Sequence, residues 1–303
     1  MIIRGLHLPL TTYRRRRTQA AKLIAQQCER SVPLLLIGCD EHRLRTTRQD
    51  PWFDYYSGCA EPESALLIDP HAQNGRDTLF LNSGDPKRIV WDGKRLGPDG
   101  LARRTHGVHA VAAHDQLLAR IHSAAQQAGH RIAMLTRERE PGFQAEQFTL
   151  WKKKLRGIEV INVEPSLVHQ RMYKDADEIL WHRKAIDMTR RGLLATLPRI
   201  PKLRTESEVA CELTMHYRKV SYGPLAFPPI VGSGAAGATL HYPYNDQPLQ
   251  RGRPLLMDSG ATAGGYCADV TRTVPQNGKF TDKRFREIYE LVLHCNTLGR
   301  QNA

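Results

Sequence analysis

Asp258 and Asp269 stand eleven positions apart in the stretch Leu255-Leu-Met-Asp258-Ser-Gly-Ala-Thr-Ala-Gly-Gly-Tyr-Cys-Ala-Asp269-Val-Thr-Arg-Thr273. Short apolar runs flank both, Leu255 to Met257 before the first and Val270 with Val274 after the second, and Gly260, Gly264 and Gly265 lie between. The pattern reads as two antiparallel strands joined by a tight hairpin. A two-residue turn at Ala263-Gly264 sets Asp258 directly opposite Asp269, with Cβ atoms about 5 Å apart. Like charges so placed are destabilising unless one carboxyl holds a proton or a cation lies between them. Divalent cations favour such oxygen donors, and hydrolytic two-metal sites hold their ions roughly 3.5–4 Å apart. Two unrelated turn aspartates give the same spacing, and a one-residue slip puts them on opposite faces. Spacing alone leaves both readings open.

The 303 residues suggest two domains and suffice for a real core. No apolar run approaches the ~20 residues of a membrane span, so no membrane partner is expected. The opening Met1-Ile-Ile-Arg-Gly-Leu-His-Leu-Pro-Leu10 carries a charge and too short an apolar stretch for a secretory signal. Six cysteines, at 28, 39, 59, 211, 267 and 295, show no Cys-x-x-Cys spacing. Reduced thiols and a cytoplasmic location are the expectation, and a thiolate zinc site is not. The net charge of +13 gathers partly at Arg14 to Arg17 and at Lys152-Lys-Lys-Leu-Arg156. Nucleic-acid binding is disfavoured, because aromatics are few (7%) and no binding module is recognisable. Solvated basic faces are the simpler reading.

Pro33–Gly38, Ser64–Asp69, Thr78–Leu81, Arg131–Leu135 and Glu159–Val163 read as strands. The Arg14 cluster opens a helix through Ala20, Leu23 and Ile24, and Asp115–Ala128 carries helical spacing. This is an α/β pattern, a mixed sheet with flanking helices, over residues 1–165. Residues 166–303 form the second domain. It opens with a helix from Asp175 to Leu197, with Asp175 as N-cap, and a second from Thr205 to about Tyr217. Ile230-Val231 and Thr239–Tyr242 are short strand candidates. A last helix runs from Asp282 to about His294, with Phe285, Ile288, Tyr289 and Val292 as its apolar stripe. Glu287, Glu290 and His294 fall on its opposite, solvated face.

These residues bear a resemblance to a known family. The two-Asp hairpin ending Asp269-Val-Thr-Arg-Thr273 resembles the first half of the active site of the pita-bread metallopeptidases. That family includes Xaa-Pro aminopeptidase (aminopeptidase P), Xaa-Pro dipeptidase, creatinase and methionine aminopeptidase. Ile230-Val-Gly-Ser-Gly-Ala-Ala-Gly-Ala-Thr-Leu-His241-Tyr is similar to the segment that delivers an active-site histidine there. Asn277–Phe280 and Phe285–Tyr289 resemble the family's segment downstream of the second Asp. Arg48-Gln-Asp-Pro-Trp-Phe-Asp-Tyr-Tyr-Ser-Gly58 with Glu61-Pro62, and Trp91-Asp-Gly-Lys-Arg-Leu-Gly-Pro98, resemble the aminopeptidase P N-terminal domain. The resemblance covers nearly all of residues 13–290. It implies that 166–303 is the first part of an α+β pita-bread domain. It also implies that Asp258 and Asp269 bind a dinuclear divalent centre, two Mn²⁺ ions, with Asp269 bridging. His241 then lies beside that centre against the scissile peptide. The implied substrates are peptides with proline at the second position, whose tertiary amide general peptidases handle poorly. Self-association, as a homo-oligomer or with homologues, is also implied.

The departures shape the expectation for activity. The family's remaining ligands, a His and two Glu, come from the second half of the pita-bread domain, and this sequence stops at Ala303. His294–Ala303 no longer resembles the family, which suggests a frameshift or premature stop and a chain with little peptidase activity. Ala236 stands where the family often has Asn, Ser57 where it usually has Thr, and Lys202-Leu-Arg204 lacks an expected glycine. An Xaa-Pro dipeptidase is the enzymatic alternative. A non-catalytic truncated homologue that acts by association is the other.

Overall fold

Three apolar runs of the first half become strands buried at every position: β1 (Leu34–Ile37), β2 (Ala65–Ile68) and β3 (Asp77–Leu81). Burial on both faces is why each reads as a continuous run instead of an alternation. The computed structural model describes residues 7–302 apart from 47, 74–75, 84–86, 88, 137–142 and 222–223. Within Met1–Asp177, the first of two compact units, the remaining strands are β4 (Ala110–Ala113), β5 (Arg131–Met134) and β6 (Glu159–Asn162). The helices are α1 (Leu10–Cys28), α2 (Glu41–Thr46), α3 (Pro51–Ser57), α4 (Ile89–Asp92), α5 (Gly100–His106), α6 (Leu117–Gln127), α7 (Phe143–Lys154) and α8 (Glu164–Met172). The sheet order is β4-β3-β2-β1-β5-β6. Its middle pairs, β1–β2 and β2–β3, are antiparallel, and the outer pairs are parallel. Strand alternation divides the core. Leu34, Leu36 and Leu66 face Ile24, Phe53, Tyr56 and Leu167, while Leu35, Leu67 and Phe80 face Leu117, Ile121 and Trp151.

Half of the Arg14–Arg17 cluster is not solvated. Arg16 and Arg17 are 3% and 1% exposed. Arg17 pairs with Asp77 at 2.8 Å and donates to the carbonyls of Tyr56 and Gly107 at 2.9 and 2.7 Å. Arg16 donates to Tyr55 O and stacks 3.8 Å from the Tyr55 ring centroid. Arg14 donates to Gly107 O, and Arg15 pairs with Asp175 at 2.6 Å. Helical spacing turns 16 and 17 inward, and guanidinium forks satisfy the carbonyls they meet. Lys152 to Lys154, in contrast, are exposed at the end of α7.

The second unit, Glu178–Ala303, takes up most of α9 (Ala176–Thr196) and then α10 (Glu206–Val220), whose N-cap Thr205 accepts from Glu208 N at 3.2 Å. Then come β7 (Ile230–Ser233), β8 (Pro254–Ser259), β9 (Thr262–Ala263), β10 (Tyr266–Cys267), β11 (Val270–Pro275) and α11 (Lys283–Gln301). β8 is central in an antiparallel β11-β8-β7 sheet. It alternates strictly: Leu255, Met257 and Ser259 are buried, with Leu255 and Met257 packing on Leu193, Val209, Leu213 and Tyr217, while Leu256 and Asp258 turn to the other face. Two expectations need correction. Thr239–Tyr242 is not a strand, because the chain folds back on β7 at once through a 3₁₀ turn, Gly234–Ala238. A Cβ on Gly232 would lie 2.7 Å from Gly237 Cα, so that return requires glycine. The last helix also runs beyond His294, to Gln301. Among the described residues no helix is long and apolar enough to cross a membrane.

Two predictions concern the first unit. His106 is wholly buried, and burial, then the Arg17 charge, pushes its imidazole down to about 4. The folded pKa lies below the unfolded value, so this group's share of stability is complete above pH 6.5 and is lost as pH falls towards 4. Relative to His106→Phe, the wild type should lose about 1.4 kcal/mol between pH 7.5 and 5.5 in urea unfolding. The variant comparison matters because Asp54, pushed up to about 7 by burial although part of the residue reaches the surface, acts with the opposite sign. Equal pH slopes in the two proteins would refute the assignment. Second, Asp77→Ala strands a buried guanidinium and should cost about 3–5 kcal/mol, whereas removing the exposed Arg15 side chain should cost about 1 kcal/mol or less.

Candidate metal centre

Gly264 and Gly265 have φ of +56° and +82°. Two successive left-handed residues make the tight turn that matches strand twist, and glycine takes it without strain. The turn is therefore Gly264-Gly265, not Ala263-Gly264, and Ala263 pairs with Tyr266. The same register continues down the hairpin, through Ala268 N to Ala261 O at 3.0 Å, to Val270 opposite Ser259 and Thr271 opposite Asp258. Asp269 thus lies diagonal to Asp258, not directly across. The difference from the expected register is two residues, which preserves the face. Diagonal neighbours remain within reach of one another's side chains. Gly260 is obligatory at the crossing, since a Cβ there would lie 1.7 Å from Ala268 O.

Side chains of α9 and α10 pin the hairpin from behind. Thr189 Oγ1 accepts from Ala261 N at 2.9 Å, and Ser221 Oγ donates to Thr262 O at 2.7 Å. Buried Tyr217 and Ser259 hydroxyls meet at 2.7 Å, and Tyr266 OH donates to Glu178 Oε1 at 3.0 Å. None of these supports carries a local sequence signal. Each is an ordinary polar residue at a helical or strand position, with its partner 41 to 88 residues away.

The two carboxyls interact directly. Local burial, then the adjacent Asp258 charge and a hydrogen bond with it, hold the Asp269 carboxyl above the ordinary carboxylate range. Asp269 is exposed and Asp258 half-buried, and Asp258 Oδ1 is enclosed without a hydrogen-bond partner. An enclosed, unpartnered carboxylate oxygen beside a second carboxylate is an oxygen-only donor pair, which suits a hard divalent cation. It is also an incomplete set: among the described residues no three His, Cys, Asp or Glu side chains gather to hold a metal. His241 is exposed on the turn after the 3₁₀ segment and makes no hydrogen bond or ion pair among the described residues. Of the candidate residues, the geometry brings the two aspartates together.

Residues 13–133 match the aminopeptidase P N-terminal domain, and residues 181–303 match metallopeptidase family M24. The second match runs to residue 303. A probable Xaa-Pro aminopeptidase of Talaromyces marneffei is 31% identical over 82% of this chain and 52% of its own length. The Xaa-Pro aminopeptidase of Haemophilus influenzae is 27% identical over 94% of this chain and 65% of its own. The structure of Pseudomonas aeruginosa aminopeptidase PepP superposes with a TM-score of 0.76 at 28% identity, covering 98% of this chain and 67% of that one. Escherichia coli aminopeptidase P with the inhibitor Pro-Leu gives 0.78 at 25% identity, over 95% and 67%. The chain spans about half the length of such fungal relatives. The two matches together take up most of the sequence: residues 13–133 have the pattern of the aminopeptidase P N-terminal domain and residues 181–303 that of metallopeptidase family M24.

Proposed function

We propose that this chain supplies part of a metal-dependent Xaa-Pro aminopeptidase, an enzyme that hydrolyses the bond between an N-terminal residue and a following proline. The observation that carries the reading is the Asp258–Asp269 pair, two interacting carboxyls on one face of a hairpin with an enclosed oxygen left unpartnered. Asp269 and Asp258 would hold the divalent metal, manganese. A bound dinuclear centre supplies Lewis acidity towards a peptide carbonyl and activates water near neutral pH. The aspartates' task is to fix the position of that charge, which the Gly264-Gly265 turn and the helix-borne hydroxyls behind it do by setting the strand register. His241 would contact the scissile peptide from the loop after β7. A cytoplasmic location and self-association complete the reading.

A second reading, association without catalysis, is favoured by α11. The helix has no buried residue, and Ile288, Leu291, Val292 and Leu293 are each half or more exposed. Apolar surface of that kind is a feature of docking faces.

Two carboxylates alone bind divalent ions weakly. Calorimetric titration of the 303-residue chain with Mn²⁺ should give a dissociation constant of roughly 10⁻⁴ M or weaker. Asp269→Asn should abolish even that. The same chain should release the N-terminal residue from peptides with proline second slowly or not at all. Vigorous Mn²⁺-dependent release, lost in Asp269→Asn, would show instead that these residues suffice for catalysis. Metal binding unaffected by Asp269→Asn would remove the hairpin from the site altogether.

A further inference from the structure

Glu206 opens α10, where an acidic residue needs no explanation beyond the helix dipole, yet it is 0% exposed. Its carboxylate is spent on one loop. Oε1 accepts from Ser233 N at 2.7 Å; Oε2 accepts from Gln247 N and from Tyr242 OH, each at 3.0 Å. Its own N–H donates to Gln247 O at 3.0 Å, Leu249 N donates to Arg204 O at 2.8 Å, and Thr205 bridges to Pro248. The loop 234–246 therefore leaves β7 and returns with both ends on one buried carboxylate, the closed-neck geometry of an Ω-loop. Asn245, at φ +52°, adds a second clasp by accepting from Val231 N at 2.7 Å and donating to Pro229 O at 2.8 Å. His241 rides on the crown, next to Tyr242, which is 7% exposed.

We infer that Glu206 is a positioning residue: by closing the neck of this loop and holding Tyr242 inward, it fixes where His241 presents its ring. This rests on the reading of His241 as a residue of the active site. The chemistry favours a carboxylate here over any neutral side chain. Two backbone N–H groups and a phenol converge on it, and an ionised acceptor answers all three, with hydrogen bonds stronger than neutral ones. Tyr242 OH also lies 3.0 Å from Asp246 Oδ1, so its single proton is contested and the two amides carry most of the closure.

The test is NMR of the 303-residue chain with histidine labelling, using Mn²⁺ as a paramagnetic probe, on wild type, Glu206→Gln and Tyr242→Phe. In wild type, Mn²⁺ at the aspartate pair broadens the His241 ring signals. In Glu206→Gln, the Ser233 and Gln247 amides should exchange about tenfold faster or more, the loss expected for a charge-assisted hydrogen bond. The amide of Leu213, further along α10, should be unchanged, and Mn²⁺ broadening of His241 should fall. Tyr242→Phe keeps both amide bonds and should move His241 less, in the same direction. If Glu206→Gln does not fold, the His241 response of Tyr242→Phe decides. Unchanged amide exchange, or His241 broadening identical in wild type and variants, overturns the role of Glu206. Absence of broadening in wild type overturns the placement of His241 beside the metal pair instead, and amide exchange then still decides whether Glu206 closes the loop.

Discussion

Two left-handed glycines set the register on which the candidate centre depends. With Gly264 and Gly265 at the turn, every pairing from Ala263–Tyr266 down to Pro254–Pro275 is determined, and Asp258 and Asp269 emerge on one face as diagonal neighbours. Two carboxylates so placed repel one another when both are ionised. The hydrogen bonds at Thr189, Ser221, Tyr217 and Glu178 contribute about 1 kcal/mol each, besides the burial of Leu255 and Met257. The hairpin is therefore held in place by its back face, while its front face keeps two carboxyls together that would separate if free. A cation between them would convert that repulsion into attraction, which is the physical sense of the arrangement.

The first unit solves an opposite electrostatic problem. Arg16 and Arg17 enter the interior, where an unpaired charge is very costly. Asp77 neutralises Arg17, and carbonyls of α3 and of Gly107 accept further guanidinium N–H groups. Much of a basic cluster that contributes to the net charge of +13 is thus internal cement. The charge available to solvated partners is smaller than the composition suggests and lies elsewhere, as on Lys152–Lys154.

This contrast shows what a sequence of this kind discloses. β1, β2 and β3 were legible because burial on both faces leaves an unbroken apolar run, and α10 because Thr205 sits where a cap belongs. The metal pair was legible as a pair because side-chain face has a period of two, so a turn misplaced by one position, which shifts pairing by two, leaves both aspartates on the same side. The turn itself was misplaced because Ala263-Gly264 and Gly264-Gly265 both read as hairpin turns, and only left-handed φ at both positions decides between them. Burial of Arg16, Arg17 and Glu206 was not legible. Each is decided by a partner 30 to 90 residues away, and nothing local marks a charged residue as internal.

The same reasoning bears on α11. Asp282 caps it at 3.2 Å, Lys283–Glu287 and Arg286–Glu290 pair along it, and Phe285 and Tyr289 pack with Phe280. Such i to i+4 pairs are worth about 0.3–0.5 kcal/mol each. All of these supports lie in its first two turns. Beyond them Leu291, Val292, Leu293 and Leu298 remain 44 to 61% exposed. Covering one such side chain completely is worth roughly 1–2 kcal/mol, so a surface laid against that stretch would stabilise the helix more than its own ion pairs do. The distal half of α11 is accordingly the part of the second unit whose order depends most on what it meets.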